Sequence, residues 1–328
     1  MNNEKVKKFM STNSIWLVLI VMCVAMAIAS PTFVTKANIM SVLMSESIIG
    51  ILAVGVMWTI LSKGIDLSPG AIVGLTSVVS ASMAQRADYA SKLFPNMPDM
   101  PVIVPIIVAL VVGTLFGVLN GLLIAYTKIP PFIATLGTQL IARACAQLYT
   151  NTYPIPELKD GFKALGQGYI IPGFLPTVVA IFVIFVVISG FMLTQTRFGA
   201  SVYAIGGNDQ AARVAGINVE HNLIKVYAWC AFCASVGGVL LSARSGSGNS
   251  ANGLNYELDA IAAVTVGGTS HSGGICRISG VIAGILILGV LKNGMLLLGI
   301  SSYLQQIFKG AIIVLAVVFD MRKNVKKA

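Results

Sequence analysis

The sequence predicts an all-α integral membrane fold of about ten transmembrane helices, some short or broken, in one polytopic domain over residues 1–328. Three observations carry this. Hydrophobic residues make up 56% of the chain and charged residues 10%, with a mean hydropathy of +0.86; apolar content this high leaves too little polar surface to face water. The apolar residues fall in ten runs, at 15–29, 39–61, 71–84, 102–125, 131–150, 174–193, 223–243, 257–271, 280–298 and 303–319. A polar stretch, 194–222, interrupts them. The runs beginning at Ala71 and Glu257 are shorter than the roughly 20 residues a straight helix needs to cross the hydrocarbon. They read as broken or re-entrant helices, which leaves eight crossings as the alternative.

Orientation follows from Lys and Arg. Ten spans with both termini inside place Lys5, Lys7, Lys8, Lys63, Lys128, Arg197, Arg213, Lys225, Arg277, Arg322, Lys323, Lys326 and Lys327 in the cytoplasm. Lys36, Arg86, Lys92, Lys159, Lys163 and Arg244 fall outside, and Arg143, Lys292 and Lys309 lie within spans. This excess inside favours the arrangement over its inverse in a cell inner membrane. It also explains the net charge of +10, which reports topology and not nucleic-acid binding, with contact to anionic lipid headgroups the weaker alternative.

The first run, with lysines before it and Ala27-Ile28-Ala29 at its end, has the outline of a signal peptide. The run is long for an h-region, and it reads as a retained first span. All five cysteines, Cys23, Cys145, Cys230, Cys233 and Cys276, lie in spans or on the inner side, where disulfides are not kept. Cys230 and Cys233 sit mid-span without a partner pair and read as small packing residues, not a metal or redox site.

Within the runs, polar residues mark a candidate translocation path. Glu46 at lipid depth requires the bundle interior or a partner. Residues 62–70, SKGIDLSPG, with Asp66 and Ser68, imply irregular backbone that protein or a cavity must cover. Gly113, Gly117 and Gly121 form a small-residue stripe for a close helix contact, with Asn120 beside it. Thr135, Thr138, Gln139 and Arg143 make the fifth span polar enough to line a cavity. Asp259 completes the set. The bland alternative is that Glu46 and Arg143 pair with each other inside the bundle. Leu158, Phe162 and Leu165 predict a short amphipathic helix lying at the outer interface. Lys309 reads as snorkelling from the last span. Gly268, Ser272 and Gly274 echo the spacing of Gly64, Ser68 and Gly70, as two transporter halves would.

The central polar stretch predicts its own short helix. Asn208 suits the N-cap, Asp209 the first turn, Arg213 the last turn and Gly216 the C′ position. Ala211, Ala212, Val214 and Ala215 would then form a small-residue knob with nothing to bury it, a docking surface for a partner protein. The alternative is a loop folded back on its own membrane domain.

Chemistry is otherwise sparse. There is no Gly-Lys dipeptide, hence no phosphate loop. The two histidines, His221 and His271, stand apart, and no metal cluster, carboxylate pair or activated nucleophile stands out. An integral-membrane enzyme is the least supported class. An ion-coupled secondary transporter, using Glu46, Arg143, Asp259 and Lys292, is the competing one.

The segments GIDLSPGAIVGL from Gly64, PPFIATLGT from Pro130, TRFGASVYAIGGNDQAARVAGI from Thr196 and YELDAIAAVTVGGTSHSGG from Tyr256 together resemble the membrane permeases of ATP-binding-cassette importers for monosaccharides. The likeness runs along nearly the whole chain. The outer segment 90–101, ASKLFPNMPDMP, is most similar to galactose and methyl-galactoside permeases, with ribose and xylose permeases close behind. The resemblance implies a type II permease fold related to the vitamin B12 importer and a homodimer. It also implies a separate cytoplasmic ATPase that uses ATP, and a soluble sugar-binding protein delivering substrate from outside. No cofactor is expected in this chain. The stretch 194–222 then matches the family's coupling loop, with Arg197, Phe198, Gly199, Gly206, Gly207, Asn208, Ala211, Ala212, Arg213 and Gly216 as the residues toward the ATPase. Weak sugar affinity is expected, since tight binding would stall release.

Overall fold

The computed structural model describes residues 3–325, with side chains over 15–318 and 320–322. The chain is a helical bundle. Its elements are α1 (Asn3–Ala29), α2 (Lys36–Leu61), α3 (Pro69–Met83), α4 (Ile103–Thr127), α5 (Pro131–Thr150), α6 (Asp160–Gln167), α7 (Thr177–Gln195), α8 (Arg197–Gly207), α9 (Asp209–Val214), α10 (Val219–Ser245), α11 (Tyr256–Val266), α12 (Ile278–Leu297) and α13 (Ser302–Val325). One two-stranded hairpin, Tyr169–Ile171 with Leu175–Pro176, lies between α6 and α7.

Each of the ten apolar runs contains one of these helices, but their lengths differ in kind. Among the described residues, six are long and apolar enough to cross a membrane: α2, α4, α7, α10, α12 and residues 302–322 of α13. α3 has 15 residues and α11 only 11, so the shortness read at Ala71 and Glu257 is real. Irregular backbone at 62–68 precedes α3, and 267–277 follows α11. Proline fixes two starts, with Pro69 opening α3 and Pro131 opening α5, positions where the missing N–H costs nothing.

α2 and α10 sit at the centre. α2 is buried on every side from Glu46 to Leu61, as expected of a helix that is apolar all round. α10 packs on α4, α3 and α2, while α1, α11, α12 and α13 form a second group against α2. Cys230 and Cys233 are free and buried. A Cβ at Gly55 of α2 would meet the Cys233 Cβ at 2.9 Å and the Cys230 backbone at 3.1 Å, so α10 approaches α2 closely at this point.

The glycine stripe is the contact between α4 and α10. A Cβ at Gly113 would strike Ser235, one at Gly117 would strike Ala231 and the backbone at Tyr227, and one at Gly121 would lie 2.5 Å from the Ile224 Cα. Backbone approach this close gains dispersion that lipid cannot replace.

Two expectations about the surface are corrected. Leu158 and Phe162 are fully buried, and α6 packs onto α10 instead of lying flat at an interface. The outer loops hold it there through bridges between Gln85 and Leu158 and between Ile155 and Gly248. Lys309 does not snorkel, because its ammonium pairs with Asp259 at 2.5 Å. Of the cations, Lys63, Lys128 and Arg213 share one surface groove, while Lys36 and Arg244 share another. The side chains of Lys5, Lys7, Lys8, Lys323, Lys326 and Lys327 lie outside the described residues.

Gly117→Leu is expected to abolish most of the membrane-extractable folded protein by driving α4 from α10. Gly137→Leu, at an α5 position where a Cβ meets nothing, is expected to leave yield unchanged. Size-exclusion profiles of the two variants in detergent provide the comparison.

Candidate functional site

The stretch 194–222 folds as a helical hairpin whose every turn is capped by its own side chains. Thr196 Oγ1 accepts from the Gly199 N–H at 3.1 Å to begin α8. Asn208 Oδ1 accepts from the Ala211 N–H at 3.0 Å to begin α9, and Asn218 Oδ1 accepts from the His221 N–H at 2.9 Å to begin α10. Gly216 takes a φ of +83°, the left-handed conformation that suits glycine after a helix end. Arg213 pairs with Glu220 at 2.5 Å across the turn, and that hydrogen bond holds the Glu220 carboxyl below its usual range.

The knob is smaller than its sequence suggested. Ala212 is 3% exposed and packs with Ile205 and Val219 in a small core of the hairpin's own. It is therefore a structural residue and not part of a projecting surface. What projects is Val214, 91% exposed, flanked by exposed Ala211 and Ala215.

The other end of the hairpin is fastened to the bundle. Phe198 stacks on Trp58 with ring centroids 5.1 Å apart, while Arg197 remains exposed. The Trp58 and Trp229 indole N–H groups both donate to Ser189 Oγ, at 3.2 and 3.3 Å. Tyr203 donates its hydroxyl to the Cys276 carbonyl at 2.7 Å, and Lys63 donates to the Gly207 carbonyl at 3.1 Å. Gly206 lies so close to the Leu61 carbonyl and the Gly274 N–H that a Cβ would overlap both. The Gly274 N–H itself donates to Leu61 at 3.0 Å. The end of α8 thus touches both irregular segments, 62–68 and 267–277. Lys63 and Tyr203 escaped the sequence reading because nothing local marks a long-range contact to a carbonyl.

The candidate path residues divide into three groups. Asp66, Ser68, Asn120 and Thr138 form a buried chain: Ser68 Oγ donates to Asp66 at 2.7 Å, Asn120 Nδ2 donates to Ser68 at 3.0 Å, and Thr138 donates to Asn120 Oδ1 at 2.6 Å. Thr135 Oγ1 beside them accepts from the Leu67 N–H at 3.1 Å. All five are almost wholly buried. They satisfy the broken segment before α3 from α4 and α5.

Arg143 and Gln139 form the second group. The Arg143 guanidinium donates to the carbonyls of Ser250, Asn252 and Gly70, the latter two at 2.9 Å. Gln139 donates to Glu257 at 3.2 Å. Arg143 therefore pairs with backbone carbonyls and not with Glu46, and the alternative of a Glu46–Arg143 pair is not what the protein forms. Glu257, missed in the sequence beside Asp259, belongs here. Glu46 and Asp259 make the third group, on the wall of a separate cavity with Lys292 and Lys309. Among the described residues no group of His, Cys, Asp and Glu side chains is arranged to hold a metal.

Arg143→Met leaves three carbonyls without their charged donor, at a cost on the order of 3 kcal/mol. A lower melting temperature in detergent is expected. Arg143→Lys is expected to recover only part of the loss, because an ammonium lacks the planar fork that reaches both sides.

A family described as the permease component of the branched-chain amino acid transport system matches residues 38–317. The galactose/methyl galactoside import permease protein MglC of Escherichia coli K12 is 38% identical over 332 aligned positions, which cover 100% of this chain and 99% of that protein. MglC of Haemophilus influenzae is 38% identical over 331 positions, 99% of this chain and 98% of the relative. The ribose import permease protein RbsC of Bacillus subtilis 168 is 40% identical over 308 positions, 93% of this chain and 91% of the relative. No solved structure matches. The chain belongs to this permease family, and it is a membrane transport component and not an enzyme.

Proposed function

We propose that this chain is the membrane subunit of an ATP-driven monosaccharide importer, with galactose or a methyl galactoside as its cargo. The observation that carries the reading is the α8–α9 hairpin. It exposes an apolar tip at Val214 and at its other end contacts both broken segments of the bundle. A surface built this way converts a push from a soluble partner into movement at membrane depth. That partner is a cytoplasmic ATPase, and a sugar-binding protein acts on the opposite face.

On this reading the chain crosses the membrane ten times with both termini in the cytoplasm, in a type II permease fold related to the vitamin B12 importer. It works as a homodimer. Support for the dimer is the largely exposed apolar faces of α5 and α13, including Ile133, Leu140, Ile141, Leu148, Tyr303 and Ile307. Galactose over ribose rests on the MglC relatives, which align over the full chain, while RbsC aligns over 93% of it. The transit site needs only weak affinity, since hydrogen-bonded discrimination is made by the binding protein.

Proteoliposomes holding the permease, the ATPase and the binding protein are expected to accumulate galactose only with ATP inside the ATPase compartment. Accumulation by the permease alone under a proton or sodium gradient would establish a secondary transporter instead. Uptake competed by ribose or xylose, with galactose inert, would change the cargo.

Val214→Arg is expected to preserve yield while removing ATPase co-purification and uptake, because an unpaired charge at a contact costs several kcal/mol, on the order of 3. Ala212→Arg strikes the hairpin's own core and is expected to lower yield as well. Retained co-purification and uptake in Val214→Arg would defeat the docking surface.

A further inference from the structure

We infer that the cavity enclosed by α2, α11, α12 and α13 is a monosaccharide-binding site within a single protomer. The inference rests on the importer reading above and names where that importer holds its sugar. The cavity has a volume of about 190 Å³. One wall carries Glu46, Asp259, Lys292, Lys309, Gln305 and Gln306, and the other is aliphatic, with Ile49, Ile285 and Leu288.

Ionisable groups at membrane depth are expensive and face interiors or water-filled paths. Here the expense is only partly offset inside the protein. Asp259 and Lys309 pair at 2.5 Å, but among the described residues the buried Glu46, 7% exposed, has no hydrogen-bond or ion-pair partner, while Lys292, also without one, is exposed. Both line the cavity. The sequence has also made room for this arrangement. A Cβ at Gly289 of α12 would meet Glu46 Cγ at 2.5 Å and Cδ at 2.9 Å, so a glycine there lets the carboxylate lie against α12.

The chemistry of the walls selects the ligand class. Two carboxylates and two ammonium groups balance in charge, so the cavity attracts neither a net anion nor a net cation. Together with two carboxamides they offer acceptors, donors and groups that do both. A ring of hydroxyls, each donor and acceptor at once, uses such a set fully, and the apolar C–H face of a pyranose suits the aliphatic wall. The position fits as well. Glu46 lies ten residues into α2 and Lys309 seven into α13, which at 1.5 Å per residue is about 15 and about 10 Å from the helix ends opposite the hairpin. The buried chain from Asp66 to Thr138 is closed to a ligand by comparison, since its members are almost wholly buried and bonded to one another.

The test uses the full-length permease in detergent and saturation-transfer NMR with methyl β-galactoside at millimolar concentration, with leucine as the comparison ligand. Transfer to the galactoside is expected for the wild type. It should fall about tenfold in Lys292→Gln and Glu46→Gln, each of which removes a charged hydrogen-bonding group. It should also fall in Ser302→Trp, which places a bulky ring at an exposed rim position. Uptake by the complex with the ATPase and binding protein should drop in parallel, with ATPase co-purification unchanged. Undiminished transfer and uptake in Ser302→Trp and Lys292→Gln, or transfer to leucine and not to the galactoside, would overturn the site. If the wild-type complex itself imports no sugar, the importer reading fails. If it does and the variants match it, only the cavity assignment fails.

Discussion

A single guanidinium does for this bundle what water does for a soluble loop. Wherever the chain leaves helical geometry at membrane depth, its carbonyls need a donor from the protein itself. Arg143 supplies three such bonds at once, to Ser250 and Asn252 before α11 and to Gly70 at the start of α3. The loop before α11 and the first turn of α3 are therefore held against each other by one side chain on α5. Space for it is reserved in the backbone, since a Cβ at Gly74 would lie 2.5 Å from the Arg143 Nη1. The polar character of α5 follows from this duty. It excludes the helix from the set with purely apolar membrane-spanning composition, although its length of 20 residues matches the others.

Much of the fold was legible because its signals are local. The run lengths separated the short helices from the long ones, and the Gly113, Gly117 and Gly121 spacing identified the face α4 gives to α10. Asn208 and Gly216 bounded α9 within a residue. The failures share one cause. Ala212, Leu158, Phe162 and Lys309 were read from exposure expected of an isolated segment, and each is covered by a residue distant in the chain or by a turn folded back on it. A periodic pattern states which face is apolar, not what meets it.

The candidate path was legible as a list of polar residues but not as an arrangement. Asp66 through Thr138 prove to be mutual hydrogen-bond partners, as burial favours, although Asp66 Oδ2 is left without one. Gln139 and Arg143 serve Glu257 and backbone carbonyls. Glu46 and Asp259 line a cavity, and their neighbours there, Lys292 and Lys309, come from helices far along the chain. Polarity at membrane depth has two physical explanations, internal satisfaction and solvation of a cavity, and composition does not distinguish them.

The same distinction bears on how a push at the hairpin travels. Gly206 is wedged between Leu61 and Gly274 with no room for a Cβ, so α8 cannot shift without moving the start of 62–68 or the end of 267–277. The first of these segments continues into Ser68, whose hydroxyl is bonded to both Asp66 and Asn120, and Asn120 is bonded in turn to Thr138 on α5. Close-packed contacts and saturated hydrogen bonds have few intermediate arrangements, because partial displacement loses the bond without regaining hydration. A buried polar chain between the α8–α9 hairpin and α5, the helix that carries Arg143, is therefore suited to switching between two arrangements.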